Sequence, residues 1–165
     1  MTQLIRFALI SGLLGFHSPA SADEWVVGLG GSDLFDEVRA EAAAGLLEYH
    51  SDPFFERPLL SMSWLLAVQF DTTDNHFIGA GVYALRPFAR RNLFVEASFA
   101  VGGYHQGTFV GKGAESLLFR SSIGVGMQLK NESRLSISLD SLLDKKFTFD
   151  NPGKEAIMLR YTRPF

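Results

Sequence analysis

The sequence predicts an all-β fold, an eight-stranded antiparallel transmembrane β-barrel. Three observations carry this prediction. Apolar and polar residues alternate with period two along most of the chain. The N-terminus reads as an export leader. The later alternating segments are long, and the last one ends in an aromatic residue, Phe165.

The leader comes first. Arg6 precedes an apolar run over residues 7–16 (FALISGLLGF), and Ser18-Pro19-Ala20-Ser21-Ala22 follows it. Small residues at Ala20 and Ala22 make an A-x-A-like cleavage site. The run is too short to cross a bilayer as a helix, which takes about 20 residues. The expected organisation is a signal peptide over residues 1–22 and one barrel domain over residues 23–165, and His17 leaves with the leader.

The strands follow in order, near residues 25–31, 37–49, 60–71, 76–86, 92–104, 115–130, 133–143 and 155–165. The seventh shows the pattern best: Leu135, Ile137, Leu139, Ser141 and Leu143 share one face, and Ser136, Ser138, Asp140, Leu142 and Asp144 the other. The eighth repeats it, with Ile157, Leu159 and Tyr161 against Ala156, Met158 and Arg160. Turn chemistry separates the segments at Gly30-Gly31-Ser32-Asp33, Ser51-Asp52-Pro53, residues 71–75 (DTTDN), 130–133 (KNES) and 150–153 (DNPG). Residues 38–47 (VRAEAAAGLL) have some helix propensity, but Gly45 and the flanks favour a strand.

Composition narrows the class. A net charge of −3 argues against a nucleic-acid module. Zero cysteines exclude disulfides, zinc–thiolate sites and a cysteine nucleophile. At 47% hydrophobic and 20% charged residues the chain is no disordered segment.

Alternating strands fit either a soluble β-sandwich, with the apolar face in a core, or a membrane barrel, with that face in lipid and a polar interior. Strand length favours the barrel, since membrane strands need about 9–11 residues and globular strands usually run about 5–6. Charge agrees. Glu96, Arg120, Asp140 and Arg160 lie on the polar faces of successive strands, where acids and bases can neutralise one another in a narrow lumen. Phe165 resembles the C-terminal signal that the barrel assembly machinery reads. The competing expectation is a periplasmic β-sandwich or lipocalin-like binding protein.

Residues 92–165 resemble the lipid A 3-O-deacylase family, also described as acyloxyacyl hydrolase-like. The resemblance rests on residues 92–97 (NLFVEA), on Gly103-Tyr104 followed by Gly107, and on 115–126 (ESLLFRSSIGVG). Asn131 and Asn151-Pro152-Gly153 with Glu155 complete it. It implies an eight-stranded outer-membrane barrel that contacts lipopolysaccharide and hydrolyses an ester-linked acyl chain of lipid A, with no cofactor and no metal. The family's His-x-Ser-Asn motif, at the outer end of strand seven, supplies base and nucleophile. A Glu at the start of strand eight orients the His, and Asn side chains serve the oxyanion. In this chain Ser141 stands at the family's His, Leu143 at its nucleophilic Ser and Asp144 at its first Asn, while Asn151 and Glu155 match. The expected site positions are therefore Ser141, Asn151 and Glu155, in a catalytically degenerate barrel. The alternatives are an active deacylase with a rearranged site, and a non-catalytic barrel that contacts lipopolysaccharide.

Two of the remaining histidines lie near other polar residues in the sequence. His50-Ser51-Asp52 is adjacent in sequence and cannot form a triad in one turn. His105 falls in an expected connection over 103–114, from which it could fold over Ser141 and Glu155. No spacing of His, Asp and Glu makes a metal motif, and Gly28-x-Gly30-Gly31 precedes no helix and is no nucleotide loop.

Overall fold

The computed structural model describes residues 23–33, 41–88, 92–105, 115–144 and 154–165, with the side chains of residues 115, 116 and 144 left out. The expected leader, residues 1–22, lies outside them. Eight strands follow one another: β1 Glu24–Ser32, β2 Ala42–Arg57, β3 Leu60–Asp71, β4 His76–Pro87, β5 Leu93–His105, β6 Glu115–Gln128, β7 Arg134–Asp144 and β8 Lys154–Pro164. Each pairs antiparallel with the next, and β1 pairs with β8, closing the barrel. Closure leaves no sheet edge with unpaired backbone groups. The two-layer sandwich is thereby set aside.

Alternation sorts the side chains as the sequence predicts. On β7, Ser136, Ser138 and Asp140 are buried, whereas Leu135, Ile137 and Leu139 point outward and are exposed. The same holds around the wall, where Leu29, Trp64, Ile78, Phe99, Ile123 and Leu159 are all more than half exposed. Such a continuous apolar exterior is the pattern of a barrel that faces lipid. At the end where β1 begins and β8 finishes, Phe165 stacks on Trp25 at 6.1 Å and lies 6.5 Å from Tyr49.

β2 departs from the expectation. The turn predicted at Ser51-Asp52-Pro53 is instead a bulge within the strand, with register shifts on both sides of Pro53. Proline has no N–H for a ladder, and a bulge removes the need for one. The side chains of Ser51 and Asp23 take up the neighbouring donors: Trp64 N–H donates to Ser51 Oγ (3.1 Å) and Asp52 N–H to Asp23 Oδ1 (2.7 Å). The chain reverses at Pro58-Leu59 instead. Residues 42–47 are strand, and the expected start of this strand at 37–40 lies outside the described residues.

The lumen is filled by side chains and has two halves. The expected charges meet in one network with Glu48 at its centre. Arg120 donates to Glu48 Oε1 (2.6 Å), Asp140 Oδ2 (2.5 Å) and Gln69 Oε1 (3.0 Å). Arg160 donates to Glu48 Oε2 and to Ser122 Oγ (3.3 Å), and lies 3.6 Å from Glu96. Ser136 and Tyr83 donate to the two oxygens of Glu96. Towards the terminal end, Arg134 grips Glu24 with both terminal nitrogens, at 2.6 and 2.5 Å. The opposite half holds an apolar cluster, contrary to expectation, beneath a polar mouth. Leu65, Phe77, Tyr104, Leu118 and Leu142 pack there, with Ala44, Leu46, Ala156 and Met158 on the facing wall. A lumen this narrow has room only for side chains, and apolar ones leave no buried polar group to satisfy.

Candidate functional site

The site expected from the resemblance lies at the loop end of β7 and β8. Ser141 and Glu155 are cross-strand partners there. Their strand neighbours Leu139 and Ile157 are exposed on the outer wall, whereas Asp140, Leu142 and Ala156 are buried in the lumen. Alternation thus puts Ser141 and Glu155 on the lipid-facing side, both half-buried. Leu143 follows on the same face, paired with Phe119.

A third polar residue, which the sequence reading missed, extends the row. Ser121 of β6 is the other cross-strand partner of Ser141. Ser121, Ser141 and Glu155 therefore cross three strands side by side, with Phe119, Ile123, Leu139, Leu143 and Ile157 above and below them. The signal lay in the double serine of FRSSIG, whose second member, Ser122, turns inward and donates to Asp140 (2.6 Å). Asn151 lies outside the described residues, and so does the structure of the loop that carries it.

No imidazole joins this row among the described residues. His105 closes β5, where its Cα partners are His76 and Glu115. The rungs through Ser141 and Ser121 meet β5 at Phe99. His105 lies six positions further along β5, about 20 Å at the rise of a strand. The expected connection at 103–105 is itself part of the strand. His50 points into the lumen, with its Nε2 3.0 Å from Glu48 and its ring stacked on Tyr83 at 3.9 Å. Ser51 Oγ donates to the carbonyl of Asp52 instead (2.8 Å), so these three neighbours build no triad.

Behind the row, inside the barrel mouth, Ser32, Gln69, Asp71, Tyr104 and Lys154 line a shallow recess. Lys154 Nζ lies 3.7 Å from Asp33 and 3.8 Å from Asp71. The backbone N–H of Asp33 donates to the carbonyl of Glu155 (2.8 Å), which ties the start of β8 to the end of β1.

A closed eight-stranded meander with an apolar exterior and a charge-paired lumen defines a membrane β-barrel. The chain belongs to the lipid A 3-O-deacylase (PagL) family, whose sequence profile matches residues 38–164. Among solved structures it is similar to the outer membrane enzyme PagL, at 18% identity and a TM-score of 0.65, over 86% of this chain and 99% of that one. A de novo designed transmembrane β-barrel matches at 7% identity and a TM-score of 0.57, covering 91% and 100% of the two chains. Neisserial surface protein A matches at 10% identity and a TM-score of 0.54, covering 90% and 100%. At these identities the likeness is one of fold. No curated protein matches the sequence.

Proposed function

We propose that this protein is an outer-membrane barrel that keeps the deacylase fold and its contact with lipid A but has lost the ester-hydrolysing chemistry. The observation that carries this reading is the pairing of Ser141 with Glu155. The family's orienting carboxylate is present, and the position across from it, where the base belongs, holds a hydroxyl. A serine becomes a nucleophile only when a neighbouring base takes its proton, and a carboxylate alone beside Ser141 is a weak base for that task. Leu143, at the nucleophile's position, has no group that can attack an ester.

In this reading residues 1–22 direct export. An even strand number leaves both ends in the periplasm. The loops after β1, β3, β5 and β7 then face outward, and the Ser121–Ser141–Glu155 row meets the outer leaflet near its headgroups. A carboxylate is tolerated there far better than at mid-depth. Asn151, four residues before Glu155 in the sequence, serves the same contact. Phe165 is offered to the barrel assembly machinery.

The test is mass spectrometry of lipid A from cells with and without the protein, beside a Glu155→Gln variant. The expected result is one unchanged lipid A profile in all three. Loss of a 3-linked acyl chain that depends on Glu155 overturns the proposal. Heat-modifiable migration on a gel, in the outer-membrane fraction, is expected of the folded protein.

A further inference from the structure

We propose that the loop end of the β4–β5 ladder is an open two-imidazole site for a divalent transition metal of the zinc, copper and nickel class. His76 opens β4, His105 closes β5, and the two are cross-strand partners. Their strand neighbours Phe77 and Tyr104 are buried in the lumen, so both imidazoles stand on the outer wall, where both are exposed. Their rings face each other at 6.4 Å between centroids and 15° between planes. Zinc binds imidazole nitrogens at about 2.0–2.1 Å. Rotation of two solvent-exposed rings towards each other brings one nitrogen of each to a shared ion, with no change in the backbone.

The surroundings favour a cation. Asp74 Oδ1 lies 3.0 Å from His76 Nε2. A carboxylate on one ring nitrogen is the usual companion of a metal-bound histidine, because it fixes the tautomer and leaves the other nitrogen free to ligate. Here that leaves Nδ1 of His76. Asp74 is itself held by the hairpin turn, in which it adopts φ 65° and its N–H donates to the Asp71 carbonyl. On the far side, the next register position beyond His105 is another acidic residue, Glu115. Two imidazoles beside the Asp74 carboxylate favour a divalent cation over a phosphate. Among the described residues no group of three or more His, Asp or Glu encloses an ion. The protein ligands proposed are the two imidazoles. Imidazole suits zinc, copper and nickel, whereas magnesium and calcium prefer oxygen. The proposal does not depend on the lipid A reading.

The experiment is a calorimetric titration of the folded, detergent-solubilised chain with zinc chloride, repeated on His76→Gln, His105→Gln and the double variant. The expected result is saturable uptake of one zinc per barrel. Each single substitution weakens it about tenfold or more, and the double variant loses it. His50, buried and engaged by Glu48, stays in every variant as an internal control. A second measurement needs no substitution: the paramagnetic resonance spectrum of the copper-loaded protein shows coupling to two imidazole nitrogens. Equal zinc uptake by the wild type and the double variant overturns the proposal. So does the absence of saturable uptake by the wild type, or a copper spectrum with fewer than two coupled nitrogens.

Discussion

Ser141 and Glu155 face each other across the β7–β8 ladder on the outer wall of the barrel. In a serine hydrolase a carboxylate across from its partner holds an imidazole by one nitrogen, and the other nitrogen deprotonates the nucleophile. The register places a carboxylate across from Ser141, and among the described residues no imidazole stands between them.

On the proposed reading, the pairing predicts which two substitutions supply the family's missing groups. Ser141→His with Leu143→Ser puts an imidazole against Glu155 and a hydroxyl on the same face two residues on. The double variant is expected to release an ester-linked acyl chain from lipid A, detected as a mass loss. Each single variant is expected to release none, because base and nucleophile act as a unit.

A second prediction concerns the lumen. Glu48 accepts from both Arg120 and Arg160, and all three are essentially inaccessible to solvent. Glu48→Ala removes the carboxylate that two buried guanidinium groups share and leaves Arg120 to Asp140 and Arg160 to Ser122 and Glu96; breaking a buried pair in this way costs about 3–5 kcal/mol. Urea unfolding of the barrel in lipid vesicles measures the loss. Glu48→Gln keeps an acceptor in place and is expected to cost less.

The β3–β4 hairpin gives a third. Asp71 Oδ1 accepts from Thr73 N–H (2.8 Å), Thr73 Oγ1 (2.6 Å), Asn75 N–H (3.2 Å) and Asn75 Nδ2 (3.0 Å), and Oδ2 accepts from Asn75 Nδ2 (2.8 Å). One carboxylate thus organises the whole turn. Asp71→Ala is expected to cost about 1–3 kcal/mol and to speed amide hydrogen exchange at the start of β4. Unchanged exchange at His76 and Phe77 would reject this role.

These sites differ in how far the sequence exposes them. Period two is a local signal, so the inward Ser136 and Asp140 and the outward Leu135 and Ile137 can be read from β7 alone. Glu96, Arg120, Asp140 and Arg160 follow, because each lies on a strand with clear alternation. Glu48 sits in the alanine-rich stretch of β2, where alternation is faint, and Pro53 reads as a turn because a bulge leaves no mark in a single strand. Leu118 and Leu142 occupy inward positions that the membrane-barrel rule assigns to polar residues. That rule describes lumens holding water, and this one holds side chains. The Ser121–Ser141–Glu155 row and the His76–His105 pair depend on register, which links residues distant in sequence. The resemblance supplied part of the first, and nothing local supplied the second.

The last prediction tests the orientation on which the outer row depends. Ile137 lies near the middle of β7 and is 57% exposed on the outer wall. If that wall meets hydrocarbon, Ile137→Lys places an ammonium group at mid-depth, at a cost of about 2–4 kcal/mol. If the wall met water, the same change would be nearly neutral, because an exposed strand position tolerates lysine. Reversible unfolding from lipid vesicles distinguishes the two, with Asn131→Lys, in the turn between β6 and β7, as a control expected to change little. A full loss at Ile137 and none at Asn131 means that the wall is greasy by function. Glu155, on that same wall, then lies at the rim, where the headgroups begin.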